Sequence, residues 1–128
     1  RLKRFSQGPG AFLRKKLRAF RNFLEANETG SGFMAGARLS IADLHAYSIL
    51  ANWYKPIFPD IFVNEFPELD EYINRVANAH PKIADFIRHE QRATTWFPDP
   101  IAKKFMERVP TAEQLKTVVT LHATSSKL

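Results

Sequence analysis

The segment Leu39-Ser40-Ile41-Ala42-Asp43-Leu44 constrains this chain more than any other stretch. Ser40 and Asp43 stand three apart, the spacing of a capping box. The Ser40 hydroxyl can accept from the backbone N–H of Asp43, and the Asp43 carboxylate can reach back to the N–H of Ser40. Leu39 before the cap and Leu44 inside the helix have the placing of a hydrophobic staple. A helix must therefore start at Ile41. Its next residues, including Ala42, Leu44, Ala46, Ile49, Leu50 and Ala51, are apolar almost all round, so the expectation is a central helix of a bundle running to about Trp53.

The rest of the chain agrees with an all-α fold. Over 11–27, Leu13, Leu17, Phe20 and Leu24 step by four, three and four. Phe12 and Phe23 widen that stripe, which predicts an amphipathic helix with a cationic outer face. Gly8-Pro9-Gly10 reads as a turn before it, and Gly30 and Gly32 end it. Phe33 and Met34 are expected under the core. Lys55-Pro56 is expected to stop the central helix, with Pro59 keeping the next stretch irregular. Pro67 and Pro81 suit the first positions of two further helices. The first has Leu69, Tyr72, Ile73 and Val76 inward, and the second carries Ile83, Ala84, Phe86 and Ile87. Trp96-Phe97-Pro98-Asp99-Pro100 reads as a rigid aromatic turn, followed by short helices over 101–108 and 112–122. Thr111-Ala112-Glu113-Gln114 forms a second capping box, and 123–128 reads as a frayed tail. No strand alternation, repeat or low-complexity tract interrupts this pattern.

Composition narrows the chemistry. With no cysteine, disulfides, thiol catalysis and cysteine-based zinc sites are excluded. No apolar run approaches the ~18 residues of a membrane helix. His45, His80, His89 and His122 show no i, i+4 pair with a carboxylate, so no metal site is expected. Asp70 and Glu71 are adjacent and diverge on a helix, which argues against paired acid–base work. No phosphate loop or nucleophile elbow occurs. The net charge is +6, and eight cations (Arg1, Lys3, Arg4, Arg14, Lys15, Lys16, Arg18, Arg21) precede the first acid, Glu25. Such a segment is suited to nucleic acid or an anionic surface, but a solvated face or one docked on an acidic neighbour is preferred. Phe12, Phe20 and Phe23 are expected to pack in the stripe, not to stack on bases.

The order of elements carries a family resemblance. Gly30-Ser31-Gly32-Phe33-Met34 is followed by Gly36-Ala37-Arg38-Leu39-Ser40-Ile41-Ala42-Asp43-Leu44. The latter resembles the G-x-x-L-[ST]-x-A-D pattern that opens the buried sixth helix of cytosolic glutathione transferases. Phe66-Pro67-Glu68-Leu69, Arg75-Val76 and Pro81-Lys82-Ile83 are similar to the helices closing that family's second domain. Ala37 departs from the usual Asp or Asn, and the family's long first helix is missing or represented only by 1–6.

The resemblance implies a glutathione transferase C-terminal-like helical domain over 11–97, while the residues themselves give a basic lead-in over 1–10 and a helical extension over 98–128 beyond the family's usual end. The resemblance also implies that the thioredoxin-like half, which binds glutathione and activates its thiol, is not in this chain. Tyr47, Tyr54 and Tyr72 cannot take the activating role by this analogy. The intact protein is then expected to conjugate glutathione, its co-substrate, to small apolar electrophiles in the cytoplasm, with an organelle as the alternative location. In this chain Trp96 and Phe97 would form part of the substrate-pocket wall, Ser40 and Asp43 would be structural caps, and no residue would be catalytic. The alternative is a non-catalytic docking module in a protein or ribonucleoprotein assembly. Either way a partner is expected, the missing domain or another subunit, in a dimer or larger assembly.

Overall fold

The computed structural model describes residues 2–89 and 112–122, and all elements among them are helical. In order they are α1 (Leu2–Ala26), α2 (Ile41–Ile49), a π-helical stretch (Leu50–Tyr54), α3 (Lys55–Ile57), α4 (Pro59–Glu65), α5 (Pro67–Ala77), α6 (Pro81–Arg88) and α7 (Ala112–Lys116). The expected aromatic turn at 96–100, the helix over 101–108, Thr111 of the second capping box and the tail lie outside the described residues.

Helix α5 is the spine of the core. Leu69, Tyr72, Ile73, Val76 and Ala77 are all fully buried, on the 3–4 spacing that puts them on one face. Around them pack Leu13 and Leu17 of α1, Ala46 and Tyr47 of α2, Phe62 of α4 and Ile87 of α6. Phe33 and Met34 tuck in part against this cluster, as their apolar character requires. Burying one such side chain contributes about 1.5–3 kcal/mol.

Four of the sequence-based expectations fail here. Helix α1 runs unbroken from Leu2 through Gly8-Pro9-Gly10. A side chain at Gly10 would lie 3.0 Å from Arg14 Nη1 and 3.7 Å from Ile61 Cδ1. This glycine therefore serves a close approach inside a helix, not a turn. Lys55-Pro56 does not stop the central helix either. The turn before it widens, with the N–H of Lys55 bonding to the Leu50 carbonyl five residues back. A proline ring crowds the carbonyl four residues behind it, and the wider turn relieves that conflict. Pro59 opens α4 at its first turn, where its missing N–H costs nothing.

The C-terminal helix is also shorter than the 112–122 expected. It ends at Lys116, where the β-branched run Thr117-Val118-Val119-Thr120 begins. Val118 and Val119 turn inward. Asn74 on α5 and Asn78, which caps its C-terminus one turn on, then hold the backbone beyond. Asn74 Oδ1 accepts from Thr120 N at 2.7 Å, Asn78 Nδ2 donates to Thr120 O at 2.8 Å, and Asn78 Oδ1 accepts from His122 N at 2.8 Å. Lys55 Nζ adds a fourth tie, donating to the Val118 carbonyl as well as to Asp70 Oδ1. Replacing both asparagines by alanine should release this segment without unfolding the bundle. Hydrogen exchange at Thr120 and His122 should accelerate by about tenfold or more while the amides of α5 stay protected. Unchanged exchange would show that Val118, Val119 and the Lys55 bond suffice to anchor it.

Candidate functional site

Two constellations stand out: a buried carboxylate that organises the turn into α2, and an apolar groove between α2 and α6. Asp43 is fully buried, and it is the one charged side chain so placed among the described residues. It completes the capping box with Ser40. Its Oδ2 accepts from Ser40 N at 2.9 Å and from Ser40 Oγ at 3.3 Å. Its Oδ1 accepts from Met34 N at 2.8 Å and from the Tyr72 hydroxyl at 2.7 Å. One carboxylate thus joins the loop after α1, the start of α2 and the middle of α5. All four partners donate, which suits a group that only accepts when ionised. The contact with Tyr72 exceeds what the capping spacing alone suggested.

The loop before α2 is tied by its own polar atoms. Asn27 Nδ2 donates to the Phe33 and Gly36 carbonyls at 2.8 and 2.9 Å, and the hydroxyls of Thr29 and Ser31 also donate to Gly36 O. Gly36 has φ 68°, in the left-handed region that glycine favours. These bonds hold the turn at Gly36-Ala37, where alanine offers no side-chain hydrogen bond of its own. Gly32 meets a second constraint: a Cβ there would sit 2.8 Å from the Arg75 guanidinium, which donates to Gly32 O.

The groove has a volume of about 310 Å³ and is lined by Leu44, Tyr47, Ser48, Asn52, Lys82, Ile83, Phe86 and Ile87. Its open side corrects the expectation that α2 is buried all round. Ile41 is 83% exposed and Leu44 42%, while Phe86 across the groove is 57% exposed. The apolarity of α2 therefore reflects two faces, one turned to α5 and one left open. Asn52 reaches the groove from the π-helical stretch, and its buried Oδ1 has no hydrogen-bond donor. None of these lining residues stood out in the sequence as a site. The signal was present in the all-round apolarity of α2, which was read as depth in a bundle.

Tyr72 is committed to Asp43. Burial, then the hydrogen bond and the negative charge of Asp43, push its hydroxyl well above the ordinary tyrosine range. Burial also raises Tyr54. Among the described residues no three metal-ligating side chains converge. His80 serves instead as the N-cap of α6, its Nδ1 accepting from Lys82 N at 3.1 Å. Asp70, beside Glu71, pairs with Lys55. Trp96 and Phe97, the proposed pocket-wall pair, lie outside the described residues. No described helix is long and apolar enough to cross a membrane.

The family model described as glutathione S-transferase, C-terminal domain, matches residues 10–90. No curated protein and no solved structure matches the chain.

Removing the Asp43 carboxylate should be far more costly than removing an ordinary cap. Asp43→Ala leaves Met34 N, Ser40 N and the Tyr72 hydroxyl without their acceptor, and we expect a loss of about 3 kcal/mol or more in urea unfolding. A loss near 1 kcal/mol would reduce Asp43 to capping alone. Tyr72 adds a pH dependence of defined sign. The folded state holds its proton while the unfolded chain releases it near pH 10, so this contribution is complete below about pH 10 and falls as pH rises beyond it. Wild-type stability should therefore drop more steeply than that of Tyr72→Phe between about pH 9 and pH 11, and parallel curves would refute this.

Proposed function

Because the chain belongs to the glutathione S-transferase C-terminal domain family, we propose that it is the helical half of an enzyme that conjugates glutathione to small apolar electrophiles. The observation that carries this reading is the open apolar groove between α2 and α6, in which Leu44, Ile83, Phe86 and Ile87 present hydrocarbon and Lys82 and Asn52 the polar contacts. A pocket of this size and character is suited to the body of a small ligand. In this reading a thioredoxin-like domain binds glutathione and lowers its thiol pKa, and the thiolate sulfur forms a bond to the electrophilic carbon, from which, in an activated aryl halide, the halide leaves with its bonding electron pair. The helical half holds the electrophile and keeps water from it. Trp96 and Phe97 would extend the wall, and the working protein would be a cytoplasmic dimer or a member of a larger assembly.

A second reading is favoured by Ile41. At 83% exposed, with Leu44 one turn on also exposed, it belongs to an apolar strip of α2 of the kind that docks on protein, which supports a non-catalytic docking module.

The deciding experiment measures glutathione conjugation to an activated aryl halide by the native protein. Phe86→Ala should raise the KM for the electrophile by about tenfold, the equivalent of roughly 1.4 kcal/mol of lost contact, with kcat little changed. An unchanged KM would remove the groove from the electrophile site. No conjugation by the native protein, together with an assembly that dissociates on Ile41→Asp, would establish the docking reading instead.

A further inference from the structure

The groove between α2 and α6 holds an acceptor that the fold leaves without a donor. Leu44, Ser48 and Asn52 stand four apart, so the helical repeat sets them along one line of about 12 Å, and all three line the groove. Asn52 ends that line inside the widened turn, with Pro56 four residues on. Its Oδ1 is buried and accepts no hydrogen bond from the chain. Ser48, one turn back, does not serve it, because its hydroxyl donates to the Leu44 carbonyl at 3.0 Å. Lys82 is the one charged residue among those lining the groove, and it is exposed.

A buried amide oxygen without a donor lowers the stability of a fold, and an apolar residue of similar shape avoids that loss. The packing of the helical half therefore gives no reason for an amide at position 52. Its acceptor gains a use when a group carrying an O–H or N–H enters the groove. Widened turns inside helices recur at functional sites.

We infer that Asn52 selects what the groove binds: a small apolar molecule that carries an O–H or N–H donor and no positive charge. The donor lies on Asn52 Oδ1, hydrocarbon lies against Leu44, Ile83 and Phe86, and Lys82 disfavours a cation. Water does not remove this selection. A water in the groove can donate to Oδ1, and a ligand that displaces it must replace that bond. A ligand without a donor leaves the oxygen buried and dry, and is rejected for that reason. The inference rests on the groove being the seat of the electrophile and adds the requirement that the electrophile carry a donor. A flat cover over the mouth, from a thioredoxin-like domain or any other part of the intact protein, does not supply that donor, since Oδ1 is buried within the chain itself. Only a group that enters the groove reaches it.

Calorimetric titration of the native protein compares 4-ethylphenol with its methyl ether, 4-ethylanisole, and with the cationic 4-(2-aminoethyl)phenol. We expect 4-ethylphenol to bind about tenfold or more tighter than the ether, and tighter than the cation. Phe86→Ala should weaken 4-ethylphenol by about tenfold, which places it in the groove. Asn52→Leu should bind phenol and ether alike, and its unfolding midpoint should equal or exceed the native one. Equal affinities in the native protein, or tighter binding of the ether or the cation, would overturn the inference. Binding of none of the three would also overturn it, and a less stable Asn52→Leu would then show that an inserted side chain supplies the donor. The titrations contain no glutathione, so the two readings fail separately. Phenol preference without conjugation removes the enzyme reading alone, and conjugation without phenol preference removes the role of Asn52 alone.

Discussion

A buried carboxylate is tolerable only when donors surround it, and the architecture of this protein follows from how Asp43 acquires its donors. Two come from Ser40 beside it in sequence, one from Met34 in the preceding loop and one from Tyr72 twenty-nine residues on. To bring these together the chain must turn back after α1, cap α2 and lay α5 against it. The loop makes its sharp return with Gly30, Gly32 and Gly36 at positive φ and with Asn27, Thr29 and Ser31 binding its carbonyls. An error in any one segment would leave a charge in the core with an acceptor unfilled, at a cost of several kcal/mol. The residue reads as a local cap in the sequence and acts as a three-way joint in the fold.

The basic segment shows how tertiary contacts divide a uniform charge run. On the helix, Arg14 and Arg21 are seven apart and lie along one line, where Glu65 and Glu68 meet them. The guanidinium of Arg14 holds the Glu65 carboxyl below its usual range, mainly through their hydrogen bonds. These pairs orient α1 on α4 and α5, though surface pairs contribute little energy. Arg18 lies between Arg14 and Arg21 on the same line and its charge adds to the effect on Glu65, whereas Lys15 and Lys16 fall on another face and are exposed. The same division explains the aromatics: Phe20 packs in part against the core, while Phe12 and Phe23 face outward.

Elements with a local chemical reason were legible. The helix starts at Ile41, Pro67 and Pro81 follow from a capping box and two first-turn prolines, and the inward face of α5 follows from 3–4 spacing. The elements missed were those where a local breaker met a packing constraint. Gly10 lies beside Ile61, Pro56 is admitted by a widened turn, and Thr120 is held by side chains from α5. The groove was missed for a related reason. An apolar helix fits a buried position and a vacant docking face equally well, and only the location of its neighbours distinguishes them.

The sequence by itself determined the all-helical class, the family to which the segment from Gly36 to Leu44 points, the cap on α2 and the lack of cysteine chemistry. These depend on residue type and on spacings within a few turns, which the backbone alone converts into position. Only the tertiary structure decided that Tyr72 would bond to Asp43, which arginines would be neutralised and which faces of α1 and α2 would remain open. Each of those depends on which segments far apart in the chain share a surface, and helical periodicity carries no information about that.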